Sequence, residues 1–317
     1  MWDFLTFFVP RAVMQGMPLL YGSTGEILTE KAGNLNLGIP GIMYVGAISG
    51  VIGAFFYEQA TVAAGKPMVG ILAVLIPILC CLLGSFLMGL LYCFLTVSLR
   101  ANQNVTGLAM TMFGVGFGNF FGATLIKLAH SEVPSLTFAD TCNFFGDGKH
   151  PGWMAYAGIG IALLAALFLR FTRKGMQLRA VGENPATADA AGINVTRYKY
   201  VATLVGSMIA GLGGLYYVME VAHGTWSNEG FGDRGWLAIA LVIFTTWRPG
   251  VSILASILFG GLYILNSWIQ PPLGIQELYK LAPYVVTLLV LIFVSLRKKR
   301  ENLPPQSLGL SYFREER

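Results

Sequence analysis

Asn34, Asn36, Asn104, Thr106 and Asn119 are uncharged hydrogen-bonding side chains set in or beside long apolar runs. Amides and hydroxyls donate and accept hydrogen bonds without charge. In hydrocarbon such groups are costly, so they face a bundle interior or a wet cavity. Glu26 after YGST, Gln103 within ANQNVTG and Asn266 late in another run belong to the same set. Each can simply bond one helix to another; together they can line a path for a neutral, hydroxylated solute. Other chemistries are missing. No run shows a chain of carboxylates suited to proton or sodium coupling. Gly65-Lys66 is followed by Pro67 and lacks the upstream glycine of a phosphate-binding loop. FGVGFGNFFG has the wrong glycine spacing for a dinucleotide fingerprint, and no strand precedes it. His130, His150 and His223 fall in loops with no Cys, Asp or Glu at a catalytic or metal spacing. Cys80, Cys81 and Cys93 read as small hydrophobes in one apolar run, and Cys142 stands apart in a polar loop. Neither a zinc site nor a disulfide framework is visible. No enzyme activity and no metal are expected of this chain.

A different device interrupts the apolar sequence at AVGENPATADAAGINV, Ala180–Val195. Asn184 can cap a helix whose first position is Pro185, where a missing N–H costs nothing. Ala186, Ala188, Ala190 and Ala191 favour helix, and Gly192 supplies the left-handed stop. The pattern predicts a helix of about two turns, roughly 10 Å long. So short a helix is unstable alone in water; it must dock on its flanking spans or on another protein.

The elements that position these groups follow from composition. Of 317 residues, 55% are hydrophobic and 12% charged, about half the charge of a soluble chain, and mean hydropathy is +0.64. The apolar runs are continuous, without a period of two, so they predict helices rather than a barrel. Spans are expected near 12–28, 36–57, 68–99, 101–128, 151–171, 199–222, 236–247, 251–269 and 281–296. The run 68–99 is too long for one untilted span and holds Pro77; the run 236–247 is short enough for a half-helix. The predicted fold is therefore all-α, a polytopic bundle of about nine spans, with 1–317 as one domain and a cytoplasmic loop at about 172–198.

The net charge of +5 does not point to nucleic acid, because basic residues cluster at the ends of runs. Arg170, Arg173, Lys174, Arg179, Arg197 and Lys199 flank one loop and Arg297–Arg300 close the last run; both should face the cytoplasm. The loop 129–150 has Glu132, Asp140 and Asp147 against Lys149, and 223–235 has Glu229, Asp233 and Arg234; these should face out. Trp153, Tyr156, Trp226, Trp236 and Trp268 suit outer interfacial positions. An odd number of spans then places the N-terminus outside, although Arg11 argues the other way, and MWDFLTFFVPR carries no signal-peptide pattern.

Two breaks look related: NLNLGIPG (Asn34–Gly41) and TTWRPG (Thr245–Gly250) each join Pro and Gly to polar groups where an apolar run opens, as paired broken segments do in internally repeated transporters. Gly46 with Gly50, and Gly114, Gly118 and Gly122, make small-residue stripes for close helix packing.

GMQLRAVGENPATADAAGINVTRYKYVA (Gly175–Ala202), LTEKAGNLNLGIPGIMYVGA (Leu28–Ala47) and GDRGWLAIALVIFTTWRPG (Gly232–Gly250) resemble, in order, three blocks of the permease subunits of bacterial ABC importers for nucleosides and simple sugars. The resemblance covers most of the chain. It implies that Glu183, Asn184, Pro185, Asp189, Ala190, Ala191 and Gly192 couple to an ATPase, with Ala190-Ala191-Gly192 at the family's alanine-glycine coupling motif. It implies a second, non-identical permease, a cytoplasmic ATPase carrying ATP and Mg, an extracytoplasmic solute-binding lipoprotein, a bacterial cytoplasmic-membrane location and no cofactor on this chain. The NLG form at Asn36–Gly38 is closer to the nucleoside branch than to the ribose branch, which usually has Asp in this region; Pro40 departs from the acidic residue common in relatives. A simple-sugar permease is the alternative. A self-sufficient secondary transporter or channel would need its own driving groups, and a membrane enzyme would need a catalytic cluster near one face.

Overall fold

The computed structural model describes residues 4–65, 67–130, 135–137, 139–146, 150–269, 281–282, 285–289, 292 and 303–313. Lys66, Glu132, Asp147, Lys149, the Arg297–Arg300 cluster, most of the ninth run and the side chains of Asn266 and Trp268 lie outside the described residues. The elements are α1 (Val9–Lys31), α2 (Ile39–Ala63), α3 (Gly70–Cys93, continued by a π turn to Ser98), α4 (Gln103–Leu128), β1 (Ser135–Thr137), α5 (Ala139–Cys142), α6 (Trp153–Phe171), α7 (Arg173–Glu183), α8 (Pro185–Ala190), α9 (Val195–Tyr216, with a π turn to Val221), β2 (Thr225–Ser227), α10 (Arg234–Phe244) and α11 (Pro249–Ile269).

Five described helices are long and apolar enough to cross a bilayer. The chain is thus the expected multi-pass helical membrane protein. α1 has the length as well, about 34 Å at 1.5 Å per residue, but carries Glu26, Glu30 and Lys31 in its last two turns. It is buried almost all round from Met14 to Glu30 and packs on α9, α11, α10 and α6, as a helix apolar on every side must. The apolar part of α2 is 83% buried, whereas α3 is 28% and α4 and α6 are 33% buried. The last three therefore turn Leu, Phe and Val outward on the perimeter.

The run 68–99 forms one 29-residue span with Pro77 inside it. α10 has 11 residues, about 16 Å, which is too short to span a bilayer about 30 Å thick; the half-helix reading holds. It stops where Thr246 and Trp247 take left-handed φ of 51° and 54°. The small-residue stripes work as expected. A Cβ on Gly46 would lie 2.6 Å from Gly211 Cα, and one on Gly114 would lie 2.5 Å from Gly41 O.

One end of the bundle gathers the C-terminus of α1, the starts of α2, α4 and α9, the end of α6, and α7–α8. Arg170, Arg173, Lys174, Arg179 and Arg197 gather at this end, the one the basic residues lead one to expect at the cytoplasm. The opposite end carries α5 and a two-stranded antiparallel pairing of β1 with β2, in which Leu136 faces Trp226, a feature the sequence patterns do not announce. α1 runs against α11, with Gly16 beside Ser256 and Ala12 beside Gly260, so residues 4–8 and Arg11 lie at the outer end. Two outer-loop residues are more buried than expected. Trp226 is 3% exposed and sits in the core rather than in lipid. Cys142 donates its Sγ–H to Met219 O at 3.0 Å; burial pushes its thiol pKa up, so it acts as a packing group.

Candidate functional site

Between α1 and α2 the chain is non-helical yet enclosed. Unpaired backbone groups at membrane depth are tolerated only when protein satisfies them, and here side chains do so one by one. Gln103 Oε1 accepts from Leu35 N at 2.7 Å, and Tyr92 Oη donates to Leu35 O at 2.6 Å. Glu26 Oε1 accepts from Asn36 N at 3.0 Å, Asn36 Oδ1 from Gly38 N at 2.9 Å, and Thr111 Oγ1 donates to Leu37 O at 2.8 Å. Asn34 Nδ2 donates to Thr203 Oγ1 at 2.9 Å, tying the break to α9. Asn34 and Asn36 are both fully buried. After these bonds, Asn34 Oδ1, Asn36 Nδ2 and Glu26 Oε2 remain buried without a hydrogen-bond partner. Pro40, the departure from the family pattern, opens α2 within its first two positions and lies against Gly235 of α10.

The second break meets the first. Trp247 is buried and its Nε1–H donates to Glu30 Oε2. Glu26 and Glu30 stand one turn apart on α1, 0% and 2% exposed, a buried carboxylate pair in a chain whose runs show no series of carboxylates suited to ion coupling. The sequence hid the pair because Glu30-Lys31 reads as a polar helix end at the membrane surface, whereas both breaks fold over it. The pair serves as a brace: Glu26 holds the first break through Asn36 N, and Glu30 holds the second through Trp247. Replacing Trp247 by Phe strips a buried carboxylate of its donor, a change that costs about 1–3 kcal/mol or more for a charged group. The Trp247→Phe chain is expected to melt several degrees lower in detergent. Trp247→Phe combined with Glu30→Leu, which removes both polar partners, should recover most of that loss.

A separate cluster lies toward the outer end. Tyr44 Oη donates to Asn119 Oδ1 at 2.6 Å and accepts from Glu229 N at 2.9 Å. The Trp226 ring meets Tyr44 edge-on at 5.3 Å. Arg234 stacks over Tyr217 at 4.5 Å and Tyr263 at 4.9 Å. Asn119 and Asn104 are fifteen residues apart on α4, about 22 Å of helix. Asn104 is exposed at the start of α4, its N–H held by Asn102 Oδ1 at 3.0 Å, and Thr106 is buried two residues on. The five candidates therefore do not form one site. Asn34 and Asn36 share the inner break, Asn119 joins Tyr44, Trp226 and Glu229, and Asn104 faces away from the core. Gln103 and Glu26, visible as polar residues in apolar runs, carry contacts that Asn104 lacks. Tyr44 had no such signal, because an aromatic residue in an apolar run reads as core, and Trp226 read as an interfacial anchor.

The connector formed by α7 and α8 is built from consecutive caps. Thr172 Oγ1 accepts from Gly175 N at 2.9 Å to start α7, Asn184 Oδ1 from Thr187 N at 3.0 Å to start α8, and Asn194 Oδ1 from Arg197 N at 2.9 Å to start α9. Pro185 opens α8 and Gly192, at φ +80°, closes it. Ala188 alone in α8 is buried, against Val181 and Val195. Glu183, Asn184, Ala186, Thr187, Ala190, Ala191 and Gly192 are exposed, and Pro185 and Asp189 are half-buried. The short helix thus docks on its own chain by one residue and leaves its alanine face open. α7 also touches the inner break: a Cβ on Gly182 would lie 2.3 Å from Lys31 O.

Residues 303–313 strap this assembly from outside. Ser307 donates its N–H at 3.0 Å and its Oγ–H at 2.6 Å to Gly182 O. Gly309 N donates to Gly33 O at 3.2 Å, and Tyr312 Oη donates to Asp189 Oδ2 at 2.8 Å. Arg100 lies 4.5 Å over the Phe313 ring.

Comparison with known proteins places the whole chain. Residues 9–294 match the family model described as branched-chain amino acid transport system / permease component. The nucleoside ABC transporter permease protein NupC of Lactococcus lactis is 30% identical, covering 98% of each chain. A putative glucose ABC transporter permease protein of Haloferax volcanii is 29% identical over 94% of each chain. The guanosine ABC transporter permease protein NupQ of Bacillus subtilis is 28% identical, over 90% of this chain and 91% of the relative. A matched model over most of the length, on a broken-helix membrane bundle in the order the sequence blocks require, fixes the membership: this chain belongs to the branched-chain amino acid transport system / permease component family.

Proposed function

We propose that this chain is one membrane-spanning permease subunit of an ATP-driven importer that carries nucleosides into a bacterial cell across its cytoplasmic membrane. The observation that carries the proposal is the open alanine face of α8 joined through Gly182 to the inner break. A cytoplasmic ATPase, holding ATP and Mg, pushes on Glu183–Gly192; α7 passes the movement to Lys31–Gly33, and the break at Asn34–Gly38 moves with it. The chain forms a single membrane domain, binds no cofactor of its own, and works with a second, non-identical permease and an extracytoplasmic solute-binding lipoprotein. Nucleosides are favoured over simple sugars by the NupC and NupQ relatives. The Tyr44–Trp226 pair beside Asn119 supports the same choice, since an aromatic base takes both a ring face and an amide. The glucose permease relative keeps a simple sugar as the second reading.

Ala190→Arg puts a long charged side chain on the open face of α8 without touching the core. ATP-driven nucleoside uptake is expected to fall at least about tenfold, the cost of losing roughly 1.4 kcal/mol at one interface, while solute capture by the lipoprotein is unchanged. Full uptake in that variant would sink the assignment of α8 as the coupling helix.

A further inference from the structure

A groove of about 760 Å³ opens between α6, α7 and α9 at the cytoplasmic end, within the size range of small-molecule sites, about 300–1,000 Å³. Its polarity is divided lengthwise. Lys174, Gln177, Asn194 and Arg197 line one end; Leu164, Phe168, Val201, Val205 and Ile209 line the rest. From Arg197 to Ile209 the wall runs about 18 Å along α9, close to one leaflet of a hydrocarbon core about 30 Å thick. Leu164 and Val201 are exposed, so the apolar part opens to the lipid side. Lys174 and Arg197 are exposed cations, and among the described residues no carboxylate pairs with either side chain.

We propose that this groove binds an anionic glycerophospholipid of the cytoplasmic leaflet, its phosphate at Lys174 and Arg197 and one acyl chain along Val201–Ile209. Charge complementarity selects the occupant. A soluble solute has no use for a one-leaflet apolar wall, and a zwitterionic lipid brings a third cation beside Lys174 and Arg197, whereas an anionic lipid brings none. Leu178, Gly192 and Ile193 also line the groove, so the lipid wedges under the connector, and its presence steadies α7–α8 against the bundle. The site stands on the groove alone and does not depend on which solute is carried.

The test uses the full chain, purified with its subunits and reconstituted in vesicles of equimolar phosphatidylcholine and phosphatidylglycerol, then read by native mass spectrometry. Wild type is expected to retain phosphatidylglycerol in preference to phosphatidylcholine. Lys174→Gln with Arg197→Gln should lower phosphatidylglycerol retention about tenfold or more, since each basic side chain adds several-fold affinity at an anionic surface. Val201→Trp, which fills the apolar wall and keeps both cations, should lower it as well. Arg11→Gln, at the outer end, should leave it unchanged. All these side chains are exposed, and a photoactivatable phosphatidylglycerol gives a second readout on the unmodified chain, with adducts expected on 161–168 and 201–209. No preference in wild type, full retention in either groove variant, or adducts confined to other helices would overturn the site.

Discussion

Alanine at Gly25 or at Gly206 is expected to destabilise the folded protein by about 3 kcal/mol. The two glycines face each other where α1 crosses α9. A Cβ on Gly25 would lie 2.3 Å from Gly206 O, and one on Gly206 would lie 2.4 Å from Gly25 O and 2.5 Å from Thr29 Oγ1. The obstacle on each side is backbone, which cannot rotate away as a side chain can. Overpacking of this kind costs about 1–3 kcal/mol and occasionally more, and reciprocal backbone clashes belong at the top of that range. α1 is the central helix, so the crossing cannot open without loosening α10 and α11 too. Thermal unfolding in detergent should fall by about 5–10 °C for either variant. Gly116→Ala and Gly160→Ala are the controls: nothing lies within 4 Å of either new Cβ, and each should melt at or slightly above the parent. A Gly25→Ala chain as stable as Gly116→Ala would show that the α1–α9 crossing is not a close contact.

Local signals in the sequence anticipated local structure. Asn184, Pro185 and Gly192 cap α8 as their types require, because a cap depends only on residues within one turn. The half-helix at α10 and the long α3 were legible from run length against bilayer thickness. What stayed hidden was set by partners far away in sequence. Glu30 meets Trp247 at a separation of 217 residues, and Ser307 meets Gly182 at 125. No periodicity reports such a pairing, so neither Glu30 nor Ser307 stands out in the sequence. The candidate site shows the same division. Asn34 and Asn36 were found, and placed in one break, because amides in an apolar run are costly wherever they point, but only the fold shows that Asn119 and Asn104 lie elsewhere. Tyr44 escaped because the hydroxyl of an aromatic ring is invisible in a hydropathy profile, and Trp226 because a tryptophan in a loop between runs reads as an interfacial anchor.

Ending the chain after Asn302 is expected to free the connector while leaving the membrane bundle intact. Among the described residues the strap's bonds run to Gly182, Gly33 and Asp189, with a long 3.5 Å contact from Lys199 Nζ to Leu310 O. At about 0.5–1.5 kcal/mol net for each bond, the strap holds α7–α8 against the inner break by about 3 kcal/mol, roughly a hundredfold in the docked population. α8 has only six residues and one buried side chain of its own, so apart from the burial of Leu178 and Val181 on α7 little else resists undocking. Amide hydrogen exchange over 175–192 should accelerate by one to two orders of magnitude in the truncated chain, with α1 and α9 unchanged. Tyr312→Phe, which removes one bond to the half-buried Asp189, should give a small fraction of that effect. Because the same contacts join the connector to Gly33, uptake should fall in step with exchange along the series Tyr312→Phe, Ser307→Ala, truncation. Exchange that stays at the parent rate after truncation would assign the strap no hold on the connector. Exchange that rises with uptake unchanged would separate the docking of α7–α8 from transport.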